Sequence, residues 1–276
     1  MAKKIAKYSL LLWIALPVSA QTPPVVPTPQ APVQRPPVPP VAAMPAPAAP
    51  WKTLFDGKTV TGLRGVQKPD FLKAGWKIDG GALVLPKEIR DSGKVTGGDL
   101  VTTEAYTDFE FVFEWKVSVA GNSGVLYLAR AAAGQKPVGH EFQIIDDVRH
   151  PDGLKGGPAK RSGALYGVVP PSENKQLNDN EWNEGLLRVR GNHVEHWVNR
   201  QKVLEYELGT ADLQRAMQAA SKTRLLAGTG TKFKAPIVLL DQGDEVAFRH
   251  LRIRPIAPVA PAAPTLPVPA VAQPLR

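Results

Sequence analysis

Three observations predict an all-β fold, an antiparallel sandwich or jelly roll, for the middle of this 276-residue chain. Short segments of alternating or β-type polarity follow one another from residue 51 to 255. Turn signals such as Asp79-Gly80-Gly81, Gly121-Asn122, Gly191-Asn192 and Gln242-Gly243-Asp244 separate them. Only 212–221 has a helical composition, and it is short. Many strands at even spacing, without helices between them, argue against a βαβ design.

The predicted strands run in order over 76–79, 82–85, 108–119, 124–130, 140–146, 163–168, 185–190, 193–199, 202–208, 237–241 and 245–254. In the 108–119 strand Phe109, Phe111, Phe113 and Trp115 share one face, the simplest reading of which is core, while Glu110, Glu114 and Lys116 share the other and read as a solvated face. No Gly-x-Gly-x-x-Gly follows a strand, so a nucleotide cofactor is not expected.

The run His140-Glu141-Phe142-Gln143-Ile144-Ile145-Asp146 puts two carboxylates and an amide into an otherwise apolar strand. Alternate residues share a face, so Glu141 and Gln143 point the same way and Asp146 points the other. One bulged residue near Ile144 or Ile145 would shift the phase and bring Asp146 to the face of Glu141. The outcome would be a pair of acids flanking an amide, suited to glycosidic-bond chemistry. The competing reading makes the acids solubilisers of an edge strand or caps of a loop.

The ends of the chain differ in kind from the middle. Lys3, Lys4 and Lys7, an apolar run over 8–17 and Val18-Ser19-Ala20 read as a secretory signal cleaved after Ala20, which predicts export to the periplasm or beyond. Residues 21–50 form a Pro-rich linker, with 12 prolines in 22–50, and 256–276 a Pro/Ala-rich tail. Such segments bury too little apolar surface to fold and favour polyproline II, so they serve as spacers, with contact to the cell envelope a further use. The folded domain is 51–255. The chain has no cysteine, which rules out disulfides and thiolate chemistry. Its formal charge of +9 falls to 29 basic against 25 acidic residues once the signal and tails are set aside. That small excess, with no basic patch interleaved with aromatics, argues against a nucleic-acid partner.

Several motifs occur in a fixed order: Leu54-Phe55-Asp56-Gly57-Lys58, Trp76 with Asp79-Gly80-Gly81-Ala82-Leu83, Tyr106-Thr107-Asp108-Phe109-Glu110, Asn122-Ser123-Gly124-Val125, and Glu141 to Asp146. After them come Gly163-Ala164-Leu165-Tyr166, Glu181-Trp182-Asn183, His196-Trp197-Val198-Asn199 and Phe248-Arg249-His250-Leu251-Arg252-Ile253. The series, covering nearly all of 52–254, resembles the 3-keto-disaccharide hydrolase domain family. The resemblance implies a concanavalin-like sandwich related to the laminarinase-type glycoside hydrolases. Those enzymes carry Glu-x-Asp-x-x-Glu on a bulged strand, and Glu141-x-Gln143-x-x-Asp146 looks like the corresponding row. Two positions depart from the family pattern. Gln242 stands where a His is usual after Leu-x-Asp, and Arg200 where a Gly usually follows the Asn.

A 3-keto sugar has an acidified C2 hydrogen, so the implied chemistry needs a base near C2, donors for an enolate oxygen and an acid for the leaving group. The candidate catalytic residues are Glu141 as base, Asp146 as second acid/base and His196 as an acid, though a lone strand His is more often structural. The candidate substrate-binding residues are Gln143, Asn122, Ser123, Tyr127, Trp182, Asn183 and Asp241. Trp182 would stack on a sugar ring; a core Trp is the plain alternative. His150 sits in a loop that would rim the site. No cofactor and no zinc are expected, because His140, Asp146 and Asp147 match no closed ligand set, while a calcium ion on loop oxygens stays open. The expected partner is a carbohydrate. A non-catalytic carbohydrate-binding module is the alternative function, and an envelope interaction protein on Pro-rich spacers a third.

Overall fold

A computed structural model describes residues 49–66, 70, 72–87, 98–130, 136–220 and 230–257. The signal, linker and C-terminal tail expected from the sequence lie outside the described residues, apart from the two ends of the domain.

Among the described residues thirteen strands form two antiparallel sheets. The larger has the order β11 (Gln201–Glu207), β10 (His193–Val198), β9 (Asn183–Arg190), β6 (Phe109–Val117), β13 (Val246–Pro255), β4 (Ala82–Leu85), β3 (Lys77–Asp79), with β1 (Lys52–Phe55) pairing along the second half of β13. The smaller has the order β2 (Leu63–Gly65), β5 (Leu100–Thr102), β12 (Val238–Leu239), β7 (Asn122–Arg130), β8 (Val138–Ile145). Phe109, Phe111, Phe113 and Trp115 of β6 face Val125, Phe142 and Ile144 of the smaller sheet in one core between the layers. Phe142 makes edge contacts with Phe113 and Trp115 at 5.4 and 6.0 Å, which lock β8 against β6.

Hairpin turns follow the glycine and asparagine signals. Gly80 and Gly81 join β3 to β4 with φ of 54° and 78°. Asn199 and Arg200 join β10 to β11 with φ of 48° and 68°, so Arg200 occupies a left-handed position that glycine ordinarily fills.

The structure departs from the expectations in several places, and β1, β2 and β5 are strands that the alternation did not predict. Residues 163–168 form turns in place of a strand, because Gly163 and Gly167 take positive φ and only Leu165 makes an isolated bridge, to Phe142 and Val169. A five-residue helix, α1 (Pro151–Lys155), precedes the expected one, α2 (Ala211–Ala219); His150 caps α1, its Nδ1 accepting from the Asp152 amide. Glu110 is buried under Arg188 and Arg254, each donating at 2.7 Å, rather than solvated. Finally, β8 pairs with β7 in unbroken register from Ile145 to His140, and the bulge lies on β7 between Tyr127 and Arg130, where Leu128 has φ of 48°.

Candidate functional site

On the face of the smaller sheet turned away from the core, β7 presents Asn122, Gly124 and Leu126 beside Glu141 and Gln143 of β8. Leu126, Leu240, Val101, Val238 and Ala129 form a second apolar cluster there. Above it lies a cleft of about 460 Å³ whose lining includes Glu141, Asp99, Asp241, Gln242, Lys160 and Tyr166.

Glu141 is half-buried and folds over Gly124, where an added Cβ would meet its Oε1 at 2.5 Å. That approach needs a glycine on β7. Gln242 donates from Nε2 to Glu141 Oε1 at 2.8 Å and accepts from Asn122 Nδ2 at 2.9 Å. Asn122 in turn accepts from Gln143 Nε2 at 3.2 Å. Burial pushes the Glu141 carboxyl up to about 8; the Gln242 amide opposes this and the charge of Asp99 adds to it. Asp99 accepts from the Asp241 amide at 2.8 Å, fixing the chain where Asp241 and Gln242 enter the cleft.

Of the residues singled out from the sequence, Glu141 and Asp241 line this cleft; Asn122 is joined to it through Gln242, and Gln143, fully buried, lies behind Asn122. Ser123 is adjacent but inward, its hydroxyl bonded to the Leu240 carbonyl at 2.9 Å. The expected pairing of Glu141 with Asp146 does not form. The strand reaches Ile145 without a bulge, and Asp146 then turns into a separate recess beside Trp115, Ser162 and Asn183. There it accepts from the amides of Ala120, Val148 and Arg149 at 2.9 to 3.0 Å and from the Arg149 guanidinium. Against the upward push of burial, those donors hold it below the usual carboxylate range. A carboxylate so fully engaged is a loop cap.

His196 and Tyr127 face the core between the sheets, away from the cleft. The Gly230 amide donates to His140 Nε2 at 3.1 Å, which leaves the proton on His140 Nδ1 for Tyr206. Tyr206 donates to Tyr127, and Tyr127 to His196 Nε2, each at 2.7 Å, while His196 Nδ1 donates to the Gly163 carbonyl at 2.9 Å. Every proton in this chain is assigned by its ends. Burial holds His140 down to about 4 and His196 to about 3, so both rings are neutral.

Trp182 lies on the larger sheet under the Arg249 guanidinium at 4.1 Å, and Asn183 bonds the Asn178 backbone and Asn199. Neither lines the cleft. Among the described residues His193, Glu195 and Glu205, also on the larger sheet, bring donors close enough to share a cation. Arg188 and Lys202 already neutralise those two glutamates at 2.8 and 2.7 Å.

The second wall of the cleft carries residues that no sequence signal singles out. Lys160 ends a single 3-10 turn (Pro158–Lys160), and Tyr166 ends a quoted motif without an assigned role. Periodicity says nothing about such turns; only the fold sets them beside Glu141.

The profile of the 3-keto-alpha-glucoside-1,2-lyase-like domain matches residues 50–254. The 3-keto-disaccharide hydrolase of Bacteroides thetaiotaomicron is 32% identical over 236 residues, covering 76% of this chain and 80% of that protein. A crystal structure from Parabacteroides distasonis, of a protein assigned to the glycosyl hydrolases, is 27% identical with a TM-score of 0.64, over 75% of this chain and 94% of that one. A second structure from the same organism, 22% identical over 75% of this chain and 100% of that one, has a TM-score of 0.55 and shares the fold.

Proposed function

Since the chain belongs to the family of 3-keto-alpha-glucoside-1,2-lyase-like domains, we propose that it cleaves 3-keto glycosides by elimination and hydration, with Glu141 as the base. It is a hydrolase acting on glycosidic bonds, and its partner is a carbohydrate. The observation that carries the mechanism is the Glu141 carboxyl in the cleft, pushed up to about 8 by burial. A base that removes a carbon-bound proton works best with a pKa near the working pH, which an ordinary glutamate lacks.

In the first step Glu141 takes the C2 proton, the C2–H pair forms the C2–C3 double bond, and the carbonyl pair moves to O3. The enolate then re-forms the ketone and expels the C1 oxygen, leaving a C1–C2 double bond. The proton now on Glu141 is available to the departing alkoxide. Water adds at C1 and a proton returns to C2, giving net hydrolysis. Asp241 lines the cleft beside that base, in reach of a sugar hydroxyl, while Asn122, backed by the buried Gln143, holds Gln242 against Glu141. Asp146, the second acid of the expected pair, lies in a separate recess, so the Glu141–Asp146 couple that a two-carboxylate glycosidase route would use is not formed. The charged, apolar and small-residue order of 1–20 further supports export, with the Pro-rich segments as spacers at the cell envelope.

The test is release of the aglycone from a 3-keto glucoside and from its unoxidised parent, by the wild type and by Glu141→Gln. Cleavage of the keto substrate alone, lost in the variant, is expected. Equal cleavage of both substrates, or full activity in the variant, would sink the reading.

A further inference from the structure

The wall facing the cleft from residues 151–167 is tied to the strand that carries Glu141. Gly163 donates to the Gln143 carbonyl at 2.9 Å, Gln143 to Ala164 at 3.1 Å, and Tyr166 to the Glu141 carbonyl at 3.0 Å. Groups on this wall therefore keep a fixed distance from Glu141.

Lys160 is the cation this wall brings into the cleft, and its position is set along its whole length. Its stem lies on Gly156, where a Cβ would come within 2.5 Å of Lys160 Cδ. Its Nζ donates to Asp152 Oδ1 at 3.0 Å, and the other oxygen of Asp152 accepts from the Tyr166 hydroxyl at 2.9 Å. The Tyr166 ring lies 5.8 Å from Nζ. An ammonium has three N–H donors and Asp152 takes one of them. Its side chain remains about a third exposed, toward the lining of the cleft. The other lysine of the cleft, Lys136, stands exposed at its rim, with no such support among the described residues.

Resting on the elimination reading above, we propose that Lys160 is a catalytic residue: its ammonium donates to O3 of the 3-keto sugar as the enolate forms. When Glu141 takes the C2 proton, the carbonyl pair moves to O3. The new charge falls near Asp99 and Asp241, whose carboxylates repel it, while Glu141 has become neutral by taking the proton. A fixed cation aimed at O3 removes that penalty, and no bond to Lys160 is made or broken. Asp152 and Tyr166 are positioning residues, the first holding Nζ and the second holding Asp152.

The experiment isolates enolisation from cleavage. A 3-keto sugar without a leaving group at C1, 3-keto-1,5-anhydroglucitol, is incubated in D₂O, and C2 exchange above the uncatalysed rate is followed by NMR. Wild type should exchange and Glu141→Gln should not. Lys160→Met should slow exchange by about 100-fold or more, the loss seen when one oxyanion donor is removed. Lys160→Arg should recover part of it. Should Lys160→Met melt the wall, Lys160→Gln keeps a neutral donor on the stem and carries the same test. Exchange within about threefold of wild type in a folded Lys160 variant, with Glu141→Gln inactive, overturns the role of Lys160 alone. No exchange by the wild type overturns the elimination reading, and the role of Lys160 with it.

Discussion

Gln242 donates its side-chain amide to Glu141 Oε1 at 2.8 Å, from the position where the family pattern has a histidine. The partner of the proposed base is thus a group that does not titrate. Through Asn122 and Gln143 the whole relay around Glu141 is built from amides, so burial governs when the carboxyl ionises.

A base must be ionised to act, so kcat/KM for a 3-keto glycoside should rise with pH through about 8. The Gln242 bond favours the charged form; Gln242→Leu removes it and should move this limb upward by roughly half a unit to one unit. A profile that falls through the same range would make Glu141 the acid for the leaving group. The measurement is a pH series of kcat/KM for both proteins.

Activity at this position opposes stability. A carboxyl raised from 4.5 to about 8 on folding binds more protons folded than unfolded, so stability falls as pH rises across that window and stays low above it. Glu141→Gln keeps the bond from Gln242 and removes the charge. At pH 8.5 it should be more stable by about 1–2 kcal/mol, or ~2–6 °C in Tm for a domain of this size. The gain should vanish near pH 4. Melting curves of the two proteins at both pH values check this.

The core was legible in the alternation of Phe109, Phe111, Phe113 and Trp115, and half of the site in the parity of Glu141 and Gln143. Asp146 was not. Its placement turned on a bulge, and the bulge sits on the neighbouring strand at Leu128, opposite Gly139, whose Cβ would lie 2.8 Å from the Ala129 Cα and the Tyr127 carbonyl. Such a choice belongs to a pair of strands, and no single segment reports it. Register hides Tyr127 in the same way, since Leu126 is the residue opposite Glu141. His196 lies on the other sheet. Its motif gives its strand but not the layer it packs in.

The chain from His140 through Tyr206 and Tyr127 to His196 joins the two sheets and should act on stability alone. Tyr127→Phe leaves the His196 Nε2 acceptor and the Tyr206 donor unpaired, at a cost of about 1–3 kcal/mol. The kcat/KM of the folded variant should stay within about threefold of wild type, because none of these groups reaches the cleft. Thermal melts beside kinetics at a temperature where both proteins are folded test the separation.

The same chain sets the acid limit of the fold. Both rings are held neutral, so the unfolded state binds protons below 6.5 that the folded state refuses until about 4 for His140 and about 3 for His196. Stability should be intact above pH 6.5 and decline as pH falls toward 4. In His196→Gln, which keeps an acceptor for Tyr127 and a donor for Gly163, the decline should be shallower. Denaturant titrations at pH 7 and 5 give the slopes, and equal slopes would count against the neutral chain.

Asp146 decides between a cap and a second acid. Its oxygens serve three amides and one guanidinium in a recess apart from Glu141. Asp146→Asn keeps one acceptor oxygen but loses the charge that strengthens those bonds, so about 1–2 kcal/mol of stability should go. The pH profile of kcat/KM should keep its midpoint and its height to within about fivefold. A fall of about 100-fold or more in a folded protein, with one limb of the profile gone, would restore Asp146 as a partner in the chemistry.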